Sequence, residues 1–315
     1  MVNKFKIYKN FNIINKHKDS ILLIGNFDGL HLGHQKLFNL AEKYKNEKKL
    51  KIGVLTFNPM PKIFFNNKLK NYKISSLNQK IKYISNYNID FVIIKKFNKK
   101  FSKIKWNKFI SEIVHKKLRA KYIFVSNNFR FGNKREGDVF LLKKFQKFFG
   151  YKIINSRPLI KNNKIISSTL IRKLLEDGKL NLANDYLNRN WSIVGKVQEG
   201  RKMGKKIGFP TCNIDIGNYV IAKPGVYAVK VIINKFKKIY KGIANLGYRP
   251  TFKQKKILLE VNLFNFNKNI YNKKLTVEFL KFIRKEKKFN GINELRKQIK
   301  VDLTKVKNVK QVKYG

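Results

Sequence analysis

The sequence predicts an α/β domain with a doubly wound parallel sheet, followed by a small antiparallel β-barrel and a carboxyl-terminal helix. Two observations support this prediction. Over the first half of the chain, short apolar runs alternate with segments whose apolar residues recur at helical spacing, a pattern typical of βαβ units. From Trp191 onward, runs rich in Val, Ile, Phe and Tyr follow one another with Gly, Pro and Asn between them, which is the pattern of a small barrel.

The elements of the first half follow from these patterns. Buried parallel strands are predicted at Ile21–Phe27, Lys51–Phe57, Asp90–Ile94 and Tyr122–Ser126. Continuous apolar runs of this kind fit strands that are covered on both faces. Helices are predicted at Gln35–Tyr44, Leu77–Tyr87, Trp106–Leu118, Asp138–Phe149, Ser168–Glu176 and Leu180–Leu187.

The second half is predicted to contain antiparallel strands and one helix. The strands are predicted at Trp191–Val197, Gly225–Ile233, Lys238–Leu246, Ile257–Phe266 and Lys274–Ile283, and the helix at Asn293–Val306. Because the pattern changes near Asn188–Asn190, we predict two domains, residues 1–187 and residues 188–315.

The charge balance is strongly basic. Lysine and arginine number 72 against 18 acidic residues, a formal net charge of +54, which by itself favours a nucleic-acid partner. However, lysines occur in nearly every block of ten residues, and Ile21–Gly33 contains no Lys or Arg. We therefore interpret the charge as compositional drift and predict no specific nucleic-acid partner, while weak nonspecific RNA binding at low salt stays open. Small anionic substrates should arrive faster in such a field.

Cysteine usage and hydropathy indicate the compartment. The single cysteine, Cys212, excludes an internal disulfide and fits a reducing compartment. No run of about 18 uncharged apolar residues occurs, so no membrane span or membrane partner is predicted. Met1–Ser20 lacks the apolar core and small-residue cleavage site of a signal peptide. We expect a cytoplasmic protein, whose oligomeric state the sequence does not fix.

The segment GNFDGLHLGH, Gly25 to His34, is the first candidate site. Its glycines let the backbone turn sharply and approach a ligand, and free N–H groups at the following helix start can face an anion. His31 and His34 can donate to phosphate oxygens. A turn with two solvated histidines is one alternative. A metal pair is another, although zinc would need further ligands and the chain offers few, namely His17, His115 and Cys212.

This segment resembles the HxGH signature of nucleotidyltransferases and, more narrowly, the bacterial bifunctional riboflavin kinase/FMN adenylyltransferase family. Supporting segments follow in the family's order, namely TFNPMP (Thr56–Pro61), SNNFRFGNKREGD (Ser126–Asp138) and ISSTLIRKLLEDG (Ile166–Gly178). The resemblance implies that the FMN phosphate attacks the α-phosphorus of ATP, giving FAD and pyrophosphate without a covalent enzyme intermediate.

The resemblance also implies the residues of this first site. It implies that His31 and His34 make the catalytic contacts with the ATP phosphates. It implies further ATP contacts by Gly25, Phe27, Gly33, Asn128, Ser168, Thr169 and Arg172, and magnesium binding by Asn128. From the residues alone, the serine and threonine of ISST could equally serve as a helix N-cap without a ligand.

The barrel half contains a second candidate site, GRKMGKKIGFPTCNI, Gly200 to Ile214. Glycines around a basic stretch favour a loop near phosphates, and Thr211 and Asn213 offer oxygens suited to Mg²⁺. A hairpin with Gly-Pro punctuation is the alternative. GFPTCN resembles the GFPTAN motif of riboflavin kinases, and GIANLGYRPTF, Gly242 to Phe252, matches another segment of that family. The resemblance implies magnesium binding by Thr211 and Asn213.

Glu260 is a lone acid inside an apolar strand. It is either an exposed strand position or a poised base, and the resemblance assigns it the role of the base that accepts the proton of riboflavin's ribityl hydroxyl. The remaining ATP and flavin contacts implied for the kinase are Gly204, Gly208, Thr211, Asn213, Arg249 and Arg284.

Some positions depart from the family pattern. Ile165 stands where many relatives have Arg, Asn127 replaces an acid, Cys212 replaces Ala, and Asn262 replaces His. Because of these departures, a second hypothesis is that only one of the two domains is active. A third hypothesis, from another class of protein, is an RNA-binding protein built on an enzyme scaffold. We predict a bifunctional transferase that uses Mg²⁺ and acts on small molecules: ATP, riboflavin and FMN as substrates, with FMN and FAD as products.

Overall fold

The computed structural model describes residues 5–199, 204, 207–233, 238–250, 255–309 and 314, with the backbone alone for residues 249, 250, 255 and 256. The chain forms two compact units. The first consists of Met1–Lys70 and Leu77–Ser167, and the second of Asn71–Ser76 and Ser168–Gly315. The described part of the chain includes no helix that is long and apolar enough to cross a membrane.

The first unit is built on a parallel sheet of six described strands. They are β1 (Lys6–Tyr8), β2 (Ile21–Ile24), β3 (Ile52–Asn58), β4 (Phe91–Lys96), β5 (Tyr122–Ser126) and β8 (Lys152–Ser156), in the spatial order β1-β4-β3-β2-β5-β8. Two short antiparallel ribbons accompany it, formed by β6 (Arg130–Phe131) with β7 (Gly137–Asp138) and by β9 (Ile160–Lys161) with β10 (Lys164–Ile165).

Helices cover both faces of this sheet. Along β2, Ile21 and Leu23 join one apolar cluster, whereas Leu22 and Ile24 join another, because successive strand residues point to opposite faces. The helices are α1 (Leu32–Lys48), α2 (Pro61–Phe65), α3 (Leu77–Ile84), α4 (Lys99–Ser102), α5 (Trp106–Lys108), α6 (Val139–Lys144) and α7 (Gln146–Phe149). A π-helical segment (Phe109–Lys117) continues α5, and 3₁₀ turns occupy Asn15–His17 and Asn133–Arg135.

The predicted α/β architecture is confirmed, with differences at the edges. The edge strands β1 and β8 were not predicted, because their short sequences, KIY and KIINS, are partly exposed and lack a continuous apolar run. The helix predicted at Asp138–Phe149 is interrupted at Phe145. Asp138 is its N-cap, and its carboxylate accepts a hydrogen bond from the Leu141 N–H at 2.9 Å, as acidic caps do.

The second unit contains a closed barrel of six described strands. They are β11 (Ser192–Gln198), β12 (Cys212–Ile214), β13 (Gly225–Ile233), β14 (Lys238–Pro250), β15 (Lys255–Leu263) and β16 (Lys274–Lys285), in the order β11-β12-β15-β14-β13-β16. Helices α8 (Ser168–Glu176) and α9 (Leu180–Leu187) precede it, and α10 (Ile292–Lys307) follows. The barrel and final helix confirm the prediction, and the short strand β12 is an addition, since its residues lie within a segment interpreted as a loop.

A piece of the amino-terminal sequence packs with the barrel. The Asn71 amide donates to the Gly217 carbonyl at 2.8 Å, and the Trp191 indole donates to the Ile74 carbonyl at 3.0 Å. Packing therefore groups Asn71–Ser76, α8 and α9 with the barrel. The boundary between residues 187 and 188 concerns the functional domains and stays a prediction.

Candidate active sites

The segment Gly25–His34 lies at the carboxyl end of β2, where the strand order reverses. From β2 the chain proceeds through β3 to β4 on one side and then returns to the other side of β2 for β5. In open parallel sheets, ligands bind outside the carboxyl ends of the strands at this kind of switch point. The topology therefore places the glycine-rich segment where a nucleotide site is expected.

Packing holds this loop in an uncommon backbone conformation. Phe27, Gly29 and Leu30 have φ angles of 48°, 76° and 38°, in a region that non-glycine residues seldom adopt. Phe27 and Leu30 are each 2% exposed, so burial of their side chains offsets the backbone strain. The Gln35 amide donates to the Leu30 carbonyl at 2.9 Å and ties the loop to the helix that follows.

Both predicted histidines lie at the start of α1. The rings of His31 and His34 are stacked with centroids 3.8 Å apart and planes inclined by 23°. His31 is the N-cap residue, and its carbonyl accepts from the His34 N–H at 2.8 Å. Helix α1 begins at Leu32, three residues before the predicted start at Gln35. The arrangement joins two imidazoles to the amino terminus of a 17-residue helix, whose N–H groups favour an anion.

The two glycines beside these rings have little room for a side chain. A Cβ at Gly33 would lie 3.2 Å from the His31 ring and 3.1 Å from the Ile166 carbonyl oxygen, and a Cβ at Gly25 would lie 2.9 Å from the Phe27 ring. The Phe27 ring in turn meets His34 edge to face at 5.2 Å. Gly25, Phe27 and Gly33 therefore shape the surroundings of the histidines.

Asn128 follows the carboxyl end of β5, the strand that adjoins β2 across the switch point. Its carboxamide oxygen accepts from the Ser126 hydroxyl at 2.9 Å. The departure at Asn127 is accommodated by a hydrogen bond, since its oxygen accepts from the Asn155 amide at 2.6 Å. The structure thus brings Asn128 to the same edge of the sheet as Gly25–His34.

Ser168, Thr169 and Arg172 belong to the second unit, at the beginning of α8. Arg172 is 7% exposed, its Nε donates to the Tyr72 carbonyl at 2.7 Å, and its guanidinium lies 3.6 Å from the centroid of the Tyr72 ring. The assignment of these three residues to ATP stays a prediction.

Lys80 in the first unit was not predicted from the sequence. It is 4% exposed, and its ammonium donates to the Thr56 hydroxyl at 3.3 Å. That hydroxyl donates to the Asn26 carbonyl at 3.2 Å, so the lysine is linked to the glycine-rich loop. Lys80 lies one turn from Ile84, a buried residue of α3. A lysine on the apolar face of a predicted helix is the feature of the sequence that could have indicated a buried ammonium group.

In the second unit, strand register places the candidate kinase residues in one row. Directly paired residues on neighbouring strands give the order Asn213 on β12, Glu260 on β15, Asn245 on β14, Val226 on β13 and Arg284 on β16. Their chain neighbours point into the barrel, as the buried residues Cys212, Ile214, Ala244, Leu246, Leu259 and Val261 show. The row therefore lies on the outer face of the barrel.

A cavity of about 260 Å³ lies over this row. Glu260, Asn262 and Thr211 contribute polar lining, while Leu295 and Ile299 of α10 contribute apolar lining. Binding sites for organic ligands have this composition, with a largely apolar wall and a few convergent polar groups. The predicted base thus faces a ligand-sized space.

The loop before β12 supplies one wall of the cavity. A Cβ at Gly204 would overlap the Phe209 carbonyl oxygen and would lie 3.1 Å from the Thr211 hydroxyl oxygen. The Phe209 N–H donates to the Gly204 carbonyl at 2.8 Å, and Gly208 takes a left-handed φ of 86°. Gly204 therefore lets the backbone approach Thr211 closely, and Gly208 adopts a backbone conformation that favours glycine.

Arg284 also lines the cavity, and each of its three nitrogens has a partner within the protein. Nε lies 2.9 and 3.0 Å from the two Asp302 oxygens, Nη2 lies 2.7 Å from one of them, and Nη1 donates to the Lys285 carbonyl at 2.9 Å. Asp302 belongs to α10 and is 1% exposed. The pair anchors α10 on the row, whereas nucleotide or flavin contact by Arg284 stays a prediction, as does that by Arg249, whose side chain lies outside the described residues.

Sequence reasoning missed two further cavity residues, Asn245 and Glu286. Asn245 lies in the segment Gly242–Phe252, which was matched to the family as a whole without a role for this residue. Its amide donates to Glu286 at 3.4 Å. Knowing which strands pair was necessary to find them.

The fold and these two candidate sites are typical of a class of protein, a transferase with an α/β nucleotide-binding domain and a barrel that carries a second candidate site. Residues 13–170 match the family model of FAD synthetase, and residues 187–310 match that of riboflavin kinase. The chain belongs to the bifunctional riboflavin kinase/FMN adenylyltransferase family, as predicted.

Similar proteins support this membership over nearly the full length. The protein of that name from Buchnera aphidicola subsp. Schizaphis graminum is 42% identical over 299 residues, covering 94% of this chain and 96% of the relative. The Escherichia coli K12 protein is 35% identical, with 90% of each chain covered. Among solved structures, one described as a macrolide-efflux protein from Streptococcus pneumoniae has a TM-score of 0.83 at 29% identity, covering 96% of this chain and 98% of that one.

Proposed function

We propose that the two halves of the chain perform successive steps of flavin-cofactor synthesis. The barrel domain phosphorylates riboflavin to FMN with ATP, and the amino-terminal domain transfers an adenylyl group from ATP to FMN, giving FAD and pyrophosphate. The observation that carries this conclusion is the presence of two separate sites, Gly25–His34 at the switch point of the sheet and the cavity around Glu260, in a chain that matches both family models.

In the adenylyltransferase site, His31 and His34 stabilise the growing charge on the leaving pyrophosphate. The FMN phosphate is already a nucleophile, so catalysis depends on alignment and charge stabilisation. The stacked rings at the start of α1 present N–H donors beside the helix N–H groups. A helix terminus contributes about 0.3–1 kcal/mol, whereas one preorganised donor contributes about 3–4 kcal/mol to a transition state. Each histidine is therefore expected to stabilise the transition state more than the helix terminus does.

In the kinase site, Glu260 accepts the proton of riboflavin's terminal ribityl hydroxyl as that oxygen attacks the γ-phosphorus of ATP. The bond from the γ-phosphorus to the β,γ-bridging oxygen breaks, and ADP leaves. The carboxylate lines the cavity and lies directly opposite Asn213 on the neighbouring strand. Thr211 and the glycine-shaped loop from Gly204 line the same space, where backbone and hydroxyl groups can bind phosphates. Phosphoryl transfer needs this combination of a positioned acceptor and bound phosphates.

The donor set of the kinase site fits a magnesium ion. The Asn213 carboxamide oxygen is buried and has no hydrogen-bond partner among the described residues, and the Thr211 hydroxyl lies in the adjoining cavity wall. Mg²⁺ prefers a few protein oxygens together with nucleotide phosphates, so Thr211 and Asn213 would hold it there, and Asn128 would do so in the first domain. When bound, the ion neutralises phosphate charge.

We also propose a cytoplasmic location and no specific nucleic-acid partner. The thiol of Cys212 is buried and free, which suits a reducing compartment, and both reactions consume ATP. The lysines are spread along the whole sequence, and this distribution does not indicate a nucleic-acid binding face.

One assay tests the proposed division of chemistry. The full chain is incubated with riboflavin, ATP and Mg²⁺, and the flavins are separated by chromatography. FMN should form first and FAD should follow. Supplied FMN should give FAD without riboflavin. A chain that gives FMN but no FAD would show that only the barrel domain works. A chain that converts supplied FMN to FAD but forms no FMN from riboflavin would show that only the amino-terminal domain works.

A further inference from the structure

We propose that Asn245 and Glu286 are specificity-determining residues of the kinase site, where they bind the internal hydroxyl groups of riboflavin's ribityl chain. These hydroxyls lie between the terminal hydroxyl that reacts and the flavin ring. The inference rests on the proposed role of Glu260 as the base at the terminal hydroxyl.

The order of residues on the barrel's outer face fixes distances from the base. Neighbouring strands lie about 4.8 Å apart. Asn245 is directly opposite Glu260 and therefore one strand spacing away, Val226 is two spacings away, and Arg284 is three spacings away. Because Arg284 binds Asp302, α10 is anchored at the far end of this row.

The length of the substrate matches this order. An extended chain advances about 1.2 Å per bond, so the roughly six bonds from the terminal oxygen to the flavin ring span about 7 Å. With the terminal oxygen at Glu260, the ribityl chain therefore passes Asn245, and the ring begins between Asn245 and Val226. Val226, Leu295 and Ile299 contribute to the same cavity the apolar lining that an aromatic ring system prefers.

The contacts of Asn245 and Glu286 suit hydroxyl groups. The Asn245 amide donates to a Glu286 oxygen at 3.4 Å, at the long end for a hydrogen bond, and both side chains line the cavity. A Cβ at Gly247 would overlap the Glu286 carboxylate, so this carboxylate lies against the backbone of β14. An amide N–H and a carboxylate oxygen together can donate to and accept from one hydroxyl.

The local charge further favours a neutral polyol beside Asn245. Glu286 is the acid next to it, and it can accept from a hydroxyl but repels a phosphate group. The cations Arg284 and Lys287 also line the cavity, but Arg284 is paired with Asp302 and the Lys287 ammonium donates to Gln298 at 3.4 Å. The proposed role also explains why Asn and Gly are spaced as Asn-x-Gly in the segment Gly242–Phe252. Asn245 supplies the hydrogen-bond donor, and Gly247 leaves the space in which the Glu286 carboxylate lies.

The test compares riboflavin with analogues that lack one internal ribityl hydroxyl. We expect the wild-type chain to phosphorylate the analogue lacking the bound hydroxyl with kcat/KM lower by roughly 10–100-fold, because a site built to hydrogen-bond a hydroxyl rejects a ligand without it. In Asn245→Ala and Glu286→Gln, kcat/KM for riboflavin should fall toward the value for that analogue, and the preference should shrink to about threefold or less.

Controls separate this role from a structural one. A ring-modified flavin with an intact ribityl chain should lose the same factor as riboflavin in each variant, and Asn267→Ala, an exposed position outside the cavity, should retain the wild-type preference. Thermal melting monitors the fold. If Asn245→Ala unfolds, Glu286→Gln decides the question because it keeps the side-chain shape. If turnover is lost entirely, quenching of flavin fluorescence on binding gives the same comparison.

Variants that keep the full wild-type preference among the ribityl analogues would overturn the proposal. That result is distinguishable from a failure of the proposed base. Glu260→Gln tests proton acceptance by its rate on every flavin, whereas the Asn245 and Glu286 variants are tested by the ratio between flavins.

Discussion

Cys212 and Asn213 are adjacent on β12 and have opposite environments. Cys212 points into the barrel, is 8% exposed, and burial raises the pKa of its thiol to about 12. The thiol is therefore neutral and unreactive at physiological pH, and it replaces the family's alanine as a small buried residue. Asn213 lies on the outer row beside Glu260. The departure at Cys212 thus leaves the chemical face of the strand unchanged.

The first prediction at the residue scale concerns His34. In His34→Ala, FAD formation from FMN should fall about 10²–10³-fold, because one preorganised donor to the leaving pyrophosphate is removed. FMN formation from riboflavin should be unchanged, since the barrel has its own site. His115→Ala is the matched control, because His115 is exposed and its ring forms a hydrogen bond with the Phe149 carbonyl, away from Gly25–His34. Equal loss of both activities in His34→Ala would contradict the two-site assignment.

The second residue-scale prediction concerns Glu260. In Glu260→Gln, riboflavin phosphorylation should fall about 10²–10⁴-fold because the proton acceptor is removed, while FAD formation from supplied FMN continues. Initial rates with each flavin measure the two activities in one preparation. Normal phosphorylation by this variant would show that another group takes the proton.

At the scale of elements, the Arg284–Asp302 ion pair fixes α10 over the cavity. Side-chain exposure is 15% for Arg284 and 2% for Asp302, so both charges are largely removed from water. The pair joins the last strand of the barrel to a helix that supplies Leu295 and Ile299 to the cavity wall. Stability of the barrel domain and the shape of its site therefore depend on the same contact.

Breaking this pair on one side should destabilise the barrel domain by about 3–5 kcal/mol, because the remaining charge stays buried without its opposite charge. Denaturant unfolding of Arg284→Met and of Asp302→Asn, followed by riboflavin binding, measures the effect. The exposed Lys116–Glu112 pair is the control, and Glu112→Gln should change stability by less than about 0.5 kcal/mol. A double replacement by apolar residues should recover much of the loss. Wild-type stability in both single variants would show that the pair contributes little.

At the scale of the whole molecule, the net charge of +54 changes the rate at which charged substrates associate with the protein. FMN is anionic and riboflavin is neutral, so the field accelerates capture of one flavin and leaves the other unaffected. Attraction between exposed charges weakens as salt shortens the Debye length, from about 10 Å at 0.1 M to about 3 Å at 1 M. The basic composition therefore bears on kinetics, even though it defines no binding face.

The corresponding prediction compares the two flavins at saturating ATP. Raising ionic strength from about 0.02 M to about 0.5 M should lower kcat/KM for FMN several-fold, while kcat/KM for riboflavin changes by less than about twofold. A potassium chloride series with each flavin measures both. An equal response for the two flavins would indicate that salt acts on ATP or on the protein and not on flavin capture.

The sequence by itself determined the order of the longer buried elements, the architecture of a parallel sheet followed by a barrel, and the family. Apolar runs such as Tyr122–Ser126 and glycine-rich segments such as Gly25–His34 are local signals, since strand burial and sharp turns depend on adjacent residues. The short edge strands β1 and β8 were not predicted, because their partly exposed positions carry polar residues that interrupt the apolar run. The roles assigned to the individual site residues stay predictions that the experiments above address.

Tertiary structure alone decided which distant residues meet. That Glu260 lies opposite both Asn213 and Asn245, and that Asp302 on α10 binds Arg284, depends on barrel register and helix docking. Nothing local in the chain specifies such pairings, because register is set by burial of one face of each strand against strands far away in sequence. For the same reason Lys80 was overlooked. The sequence shows an ordinary helical lysine, and only the packed sheet places its ammonium beside Thr56.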